Sequence, residues 1–485
     1  MRILTVITWL PIGGLVVVLL VPRGQTALAK GVALAAAGVT FLLSWGLLPI
    51  FDRASSEPQF TELATWIPEL GMTYSLGVDG LSYPLVLLTT LLTVVALLAS
   101  LKVRESVKAY FAWMLLLEFS ILGVFVARDW FLFYVFWEIA LVPMFFLIGM
   151  WGGPTRERAT LTFFMYTLGG SVLMLIGIFA VYLAADPHTF DMAALEAASA
   201  GWTRSFQVAP FLAFFVGFAV KIPVFPLHGW LPLAHVQAPT PVSIMLSGVL
   251  LKLGAYGLLR VADTLPLGLQ ALLPGVFVLA LVNILYGAFL AFRQTDLKAI
   301  VAFSSISHMG FVLLGIAALN VTGVSGAVFM MLAHGIITGG LFLLVGIIYE
   351  RTNTMDLAQL SGLSRQVPVY ASLTVLALLA SMGLPGLAQF VGEFQTLIGS
   401  FERWGLFVLL ASLGILVTAT FTLRVVIAMF TGELDARWKG MPDLHGRELA
   451  AAVPLAVLTV ALGVFPSLAL SLSDATVRAM TAISS

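Results

Sequence analysis

Long apolar runs alternate with short polar breaks almost from one end of the chain to the other. Runs of about 18 to 25 residues recur, each long enough as a helix to cross about 30 Å of hydrocarbon. They cover residues 1–21, 29–50, 80–101, 109–127, 130–150, 161–184, 207–226, 240–262, 269–291, 299–319, 322–348, 368–398, 405–430 and 450–472. The pattern predicts an all-α polytopic membrane protein with about 14 transmembrane helices, forming a single membrane domain over residues 1–485. The first run, MRILTVITWLPIGGLVVVLLVP, lacks a small-residue cleavage site and reads as a span rather than a removed signal peptide.

Two of these spans carry helix breakers in their interior. The seventh meets Pro223 and Pro226 just after Lys221, and the twelfth meets Gly383 and Pro385 in the string GLPG. Proline removes an amide donor and clashes with the preceding turn, so both helices are predicted to be discontinuous. Inside a bilayer such a break persists only where protein or a water-lined cavity satisfies the freed backbone groups. The breaks lie five spans apart, an odd offset, so equivalent helices run in opposite directions. This predicts two inverted five-helix repeats, residues 109–262 and 269–430. Two unrelated proline kinks are the alternative.

Composition narrows the class further. With 60% hydrophobic and 10% charged residues and a mean hydropathy of +1.05, the chain is too apolar for a soluble domain of 485 residues. That composition makes the lipid bilayer its surroundings, and its 24 basic and 24 acidic residues leave no surplus to neutralise phosphates, which argues against a nucleic-acid partner. It has no cysteine, hence neither disulfides nor thiolate-held iron–sulfur clusters. Lysines and arginines divide about two to one between alternate loops. Arg23, Lys30, Lys102, Arg104, Arg156, Arg293, Arg351 and Arg437 are on the richer side; Arg53, Arg128, Arg204 and Arg260 are on the poorer. The positive-inside rule then puts the richer side in the cytoplasm and both termini outside.

Against this background the ionisable residues inside apolar runs stand out. Glu138, Lys221, Lys252, His308, His334 and Glu393 follow one another in chain order on six different spans, at an insertion cost of roughly 2.5 to 3.5 kcal/mol for each charged group. Glu118, His228, His235 and Lys298 are accessory candidates. Burial and approaching partners can each change the proton affinity of such groups, so a series of them can relay protons. The alternatives are a Lys221 that snorkels to a headgroup and histidines that only hydrogen-bond between helices.

The strings FLFYVFWEIALVPMFFLIGMWGG, AVKIPVFPLHGWLPLAHVQAPT, LLKLGAYGLLR, QTDLKAIVAFSSISHMGFVLLGI and LPGLAQFVGEF resemble subunit M of complex I, the bacterial proton-pumping NADH:quinone oxidoreductase. The resemblance implies 14 helices with two inverted repeats and a hydrophilic axis. In it, Glu138 and Lys221 are the acid–lysine pair, Lys252 the central lysine, His308 and His334 the connecting histidines, and Glu393 the terminal group. An acid at position 393 favours M over the sister subunits L and N, whose corresponding residue resembles a lysine. One departure is Leu233, where the family's WLPDAH string has an acid. The resemblance further implies a translocase subunit with no cofactor of its own and with L- and N-type neighbours. Quinone, flavin and iron–sulfur clusters would belong to other subunits. The location would be a bacterial cytoplasmic (inner) membrane, or a thylakoid membrane for a photosynthetic relative. The alternatives are a subunit of a multisubunit sodium/proton antiporter or membrane-bound hydrogenase, and a free-standing secondary transporter.

Overall fold

In the computed structural model, which describes residues 2–484, the chain is almost entirely helical. In order, the helices are α1 (Ile3–Leu20), α2 (Thr26–Gly46), α3 (Tyr83–Ala99), α4 (Val107–Val126), α5 (Trp130–Trp151), α6 (Arg156–Ala184), α7 (Met192–Ser199), α8 (Arg204–Lys221), α9 (Trp230–Gln237) and α10 (Thr240–Met245). There follow α11 (Leu251–Thr264), α12 (Pro266–Arg293), α13 (Leu297–Ala318), α14 (Val321–Thr352), α15 (Pro368–Ser381), α16 (Ala388–Trp404), α17 (Leu409–Phe430), α18 (Arg447–Val464) and α19 (Ser467–Ser484). The first predicted span begins at Met1, which lies outside the described residues. Short polar linkers start several helices with side-chain caps: Asp129 accepts from the amides of Phe131 and Leu132, Asp296 from Ala299, and Asn320 from Gly323.

Among the described residues, 12 helical runs are long and apolar enough to cross a membrane. One of them, Ala388–Phe430, joins α16 to α17 through the single 3₁₀ turn Gly405–Val408. Burial divides the helices into layers. The most apolar stretch of Thr240–Thr264 is fully buried and those of α13 and α14 are 94% buried, against 33% for α1 and 28% for α2. The polar candidates on α11, α13 and α14 therefore occupy the middle of the bundle, with α1, α2 and α17 towards the lipid.

Both predicted breaks are present: α8 stops at Lys221, and α15 and α16 are separated at Met382–Leu387. Three features depart from the expected pattern. The polar segment after α2 folds as an antiparallel hairpin, β1 (Gln59–Ile67) and β2 (Met72–Val78), with Leu63 opposite Ser75. Glu62 on β1 accepts from the Leu4 amide at 2.7 Å, placing a carboxylate at the unsatisfied amino end of α1. The last predicted span, 450–472, ends early at Val464, because Pro466 lacks the donor needed to continue α18. Arg260, counted among the loop cations, is instead on α11 and only 5% exposed.

Arg260 belongs to a buried ion network at the hairpin end of the bundle. Its Nη2 lies 2.5 Å from an Asp79 oxygen and its Nε donates to the Tyr256 hydroxyl at 3.0 Å, while Arg128 reaches the other Asp79 oxygen at 3.2 Å. Asp79 also accepts from the amides of Leu81 and Ser82, and the next residue, Gly80, donates its amide to Thr476 of α19. One carboxylate thus ties together the loop before α3, the α4–α5 linker and α11, with α19 held alongside. Burial opposes ionisation of Asp79, but Arg260 and Arg128 outweigh it and hold the carboxyl well below the usual carboxylate range.

A depressed folded pKa contributes stability that is present above the unfolded value of about 4 and is lost only as pH falls through the folded value. Asp79→Asn leaves Arg260 buried without its hydrogen-bonded counter-charge, Asp263 being the remaining buried acid coupled to it, and is expected to destabilise the fold by about 3 to 5 kcal/mol. Thermal unfolding should show the same gap from wild type between about pH 6 and 8. No gap, or one that grows across that range, would contradict the role given to the ionised pair.

Candidate functional site

The first break leaves backbone groups that hydrocarbon cannot satisfy, and protein side chains take them up. Asn283 on α12 accepts from the Phe225 amide at 2.7 Å and donates to the Pro223 carbonyl at 3.1 Å. The Trp230 indole donates to the Val220 carbonyl at 2.8 Å. Lys221, the last residue of α8, is thereby fixed at the edge of the break, 2% exposed, with its Nζ 4.9 Å from the centroid of the Trp137 ring and no hydrogen-bond partner. Glu138, next to Trp137 on α5, forms no ion pair with Lys221 within 4.0 Å, and its Oε1 is buried without a partner. Glu118 on α4 is fully buried, with neither oxygen hydrogen-bonded. Acid and base thus sit on neighbouring elements with hydrogen-bonding capacity unused, which is costly unless the groups are neutral or exchange partners.

The approach of α11 to α8 depends on a close helix contact. A Cβ at Gly254 would fall 2.7 Å from the Phe218 carbonyl and 3.0 Å from the Lys221 Cβ, so only glycine allows α11 to lie this near the break. Between α10 and α11 the helix opens into a π turn, Leu246–Leu250, and the Ser247 carbonyl accepts from Lys252 Nζ at 2.5 Å. The same Nζ lies 2.6 Å from Nδ1 of His334 on α14, a distance at which a proton can pass directly. Lys252 and His334 are both completely buried.

The second break completes the line. The His308 ring on α13 is 5.4 Å from that of His334, edge to face. The Ser381 carbonyl, at the end of α15, faces His308 without the geometry of a formed hydrogen bond. Gln389 on α16 joins this carbonyl to the terminal acid, its Nε2 donating to Ser381 O at 2.7 Å and to Glu393 Oε1 at 2.9 Å. Gly383 is needed twice over: its φ is +79°, and a Cβ there would fall 2.2 Å from Glu393 Oε2. Each break therefore has its own amide side chain, Asn283 at the first and Gln389 at the second, holding freed backbone.

The accessory residues divide into two places. His228 lies past the first break between the rings of Phe225 and Tyr286, at 5.8 and 5.1 Å. His235 is fully buried and stacked on Phe342 at 4.5 Å, with neither nitrogen hydrogen-bonded. Lys298 donates to the Ala238 carbonyl at 2.9 Å, on the wall of a cleft of about 740 Å³ that Gln237, Asp296 and Asp356 also line. Glu138, Lys221, Lys252, His308, His334 and Glu393 are found on α5, α8, α11, α13, α14 and α16. Lys252 and His334 are in direct contact, whereas Glu138 and Lys221 are not paired. Trp137, Asn283, Gln389 and the π turn were not apparent from the sequence; an amide residue in an apolar run was the available signal for Asn283 and Gln389.

Comparison with known proteins agrees with this architecture. Residues 127–420 match the family described as NADH:quinone oxidoreductase/Mrp antiporter, TM, and residues 61–128 match NADH-ubiquinone oxidoreductase chain 4, amino terminus. NADH-quinone oxidoreductase subunit M of Rhodobacter capsulatus is 43% identical over 482 residues, covering 96% of this chain and 94% of that protein. NAD(P)H-quinone oxidoreductase chain 4 1 of Nostoc sp. is 38% identical over 490 residues, 97% of this chain and 90% of its own length. A chain in the structure of respiratory complex I from Thermus thermophilus with bound NADH superposes with a TM-score of 0.91 at 32% identity, covering 99% of this chain and 100% of that one. A chain of the Mrp complex from Dietzia sp. shares the fold, with a TM-score of 0.85 at 23% identity over 100% of both chains. The chain belongs to the NADH:quinone oxidoreductase/Mrp antiporter membrane family and, within it, to the line of subunit M, or chain 4.

Proposed function

We propose that this chain is the proton-translocating membrane-arm subunit of a complex I-type NADH:quinone oxidoreductase, working in a bacterial cytoplasmic membrane between L- and N-type neighbours. Quinone, flavin and iron–sulfur clusters belong to partner subunits, which supply the energy. The observation that carries the proposal is the buried polar line from Lys252 through His334 and His308 to Gln389 and Glu393, crossing from the π turn to the second break. Glu138 and Lys221 form its switch. When the acid approaches, the lysine keeps its proton; when it withdraws, the proton passes to Lys252, and the two groups titrate as one unit. A change of about 3 pKa units is worth roughly 4 kcal/mol, and moving one proton against about 150 mV costs roughly 3.5 kcal/mol. The cleft beside Lys298 is the proposed entry for protons. Fourteen crossings, ten of them in two inverted five-helix repeats, 109–262 and 269–430, fit this scheme. Counting α8, which ends at Lys221, and treating α16 and α17 as separate crossings adds two to the 12 apolar runs.

In the assembled complex reconstituted in proteoliposomes, Glu138→Gln and Lys221→Ala should each lower NADH-driven proton pumping at least about tenfold, and the double variant little further, since the two act together. Pumping at the wild-type rate in either variant refutes the switch. A sodium-free medium should leave pumping unchanged; dependence on sodium would instead favour an antiporter subunit.

Gln389→Leu breaks the link to Glu393 and exposes the Ser381 carbonyl to an apolar surround, and should slow turnover about tenfold. His334→Leu should slow it similarly, whereas a loss of thermal stability with normal turnover would make both residues structural.

A further inference from the structure

We propose that the chain carries a phospholipid site at the hairpin end of the bundle, with one acyl tail in an apolar crevice and the lipid phosphate on Arg53. The crevice, of about 200 Å³, opens between α3 and α18. Leu87 and Leu91 form one wall, Leu462 and Leu472 the other, and Leu332 of α14 the floor. Arg53 is the one charged residue lining it, in the loop after α2. Its Nη1 donates to the Ser471 hydroxyl of α19 at 3.0 Å, and among the described residues it forms no ion pair. A guanidinium has five donors, so most of them remain for a phosphate, which they can grip in a bidentate fork. Trp45 lines the same mouth near the end of α2, where an aromatic ring suits the headgroup boundary.

The size and chemistry of the crevice select its occupant. A helix about 10 to 12 Å across does not enter a space of this volume, whereas part of a single acyl chain does. A tail gains little by leaving hydrocarbon for a leucine-lined slot, because lipid tails are as apolar as leucine. Retention of one lipid must therefore come from packing contacts and, above all, from the charge-assisted bonds at Arg53. Leu88, also in the crevice wall, lies directly against Gly335, the neighbour of His334, so an occupied crevice would brace α3 against the helix that carries the relay histidine.

Native mass spectrometry of the purified full chain titrated with phosphatidylglycerol should show one retained equivalent. Arg53→Ala should weaken it about tenfold, whereas Arg204→Ala, an exposed cation away from the crevice, should not. Ala461→Phe fills the crevice and should release the tail. If that variant does not fold, quenching by phosphatidylglycerol with brominated tails gives an independent reading, since Trp45→Phe should remove a distinct fraction of the quenching. Wild-type retention in Arg53→Ala together with no Trp45 contribution would overturn the proposal. So would quenching of Trp45 in the isolated chain that disappears in the assembled complex, which would mean that a neighbouring subunit covers the crevice.

Discussion

The structure depends on two transmembrane helices being broken inside hydrocarbon without leaving backbone groups unsatisfied. An unsatisfied amide or carbonyl there costs several kcal/mol, and at each break a side-chain amide takes up backbone groups that the helix leaves free. Asn283 bridges the amide of Phe225 and the carbonyl of Pro223, and Gln389 holds the carbonyl of Ser381. With those bonds in place, Lys221 and Glu393 can be held in the bundle at helix ends, where neighbouring backbone is polar and oriented. Without them the breaks would admit lipid or water, and the residues beside them would lose their fixed positions. The amide that secures the second break also binds the carboxylate of Glu393, so support and chemistry share one residue.

The same arrangement explains why the candidate groups are buried and yet poorly paired. Glu118, Lys221, His235 and His308 all have polar side-chain atoms without partners. In a purely structural core, such atoms would be eliminated by substitution, since each lowers stability. Their placement on α4, α8, α9 and α13, around the one short contact between Lys252 and His334, is what the proposed proton path requires: groups able to take a partner but not permanently satisfied by one. Fixed electrostatics lie elsewhere, at the hairpin end, where Asp79, Arg128 and Arg260 are fully engaged with one another.

Hydropathy alone made most of the spans legible, because every helix in a bilayer needs a long apolar run. Proline and glycine inside two such runs marked both breaks. Short or amphipathic elements were not legible. At eight residues α7 is too short, and the hairpin at Gln59–Val78 too polar, to register as a span, and α19 is merged with α18 because leucine and alanine continue across Pro466. Of the site, the charged members were visible as ionisable residues in apolar surroundings. Their geometry was not, because contacts such as Lys252 with His334 join residues 82 apart in sequence and depend on a π turn that no local pattern marks. Asn283 and Gln389 were passed over for a different physical reason: uncharged amides lower the hydropathy of a run only slightly, yet they satisfy the breaks.

The central claim is that Glu393 receives its proton from Lys252 through the histidines. Infrared difference spectroscopy of the assembled complex during turnover can follow this directly by the stretch of a protonated carboxyl, assigned to Glu393 by its loss in Glu393→Gln. A band that appears on turnover in the wild type and is absent in Lys252→Met, with Glu393 still in place, is the expected result. A Glu393 band of undiminished size in Lys252→Met would mean that the carboxyl is charged from another source and that the buried line is not the proton's route.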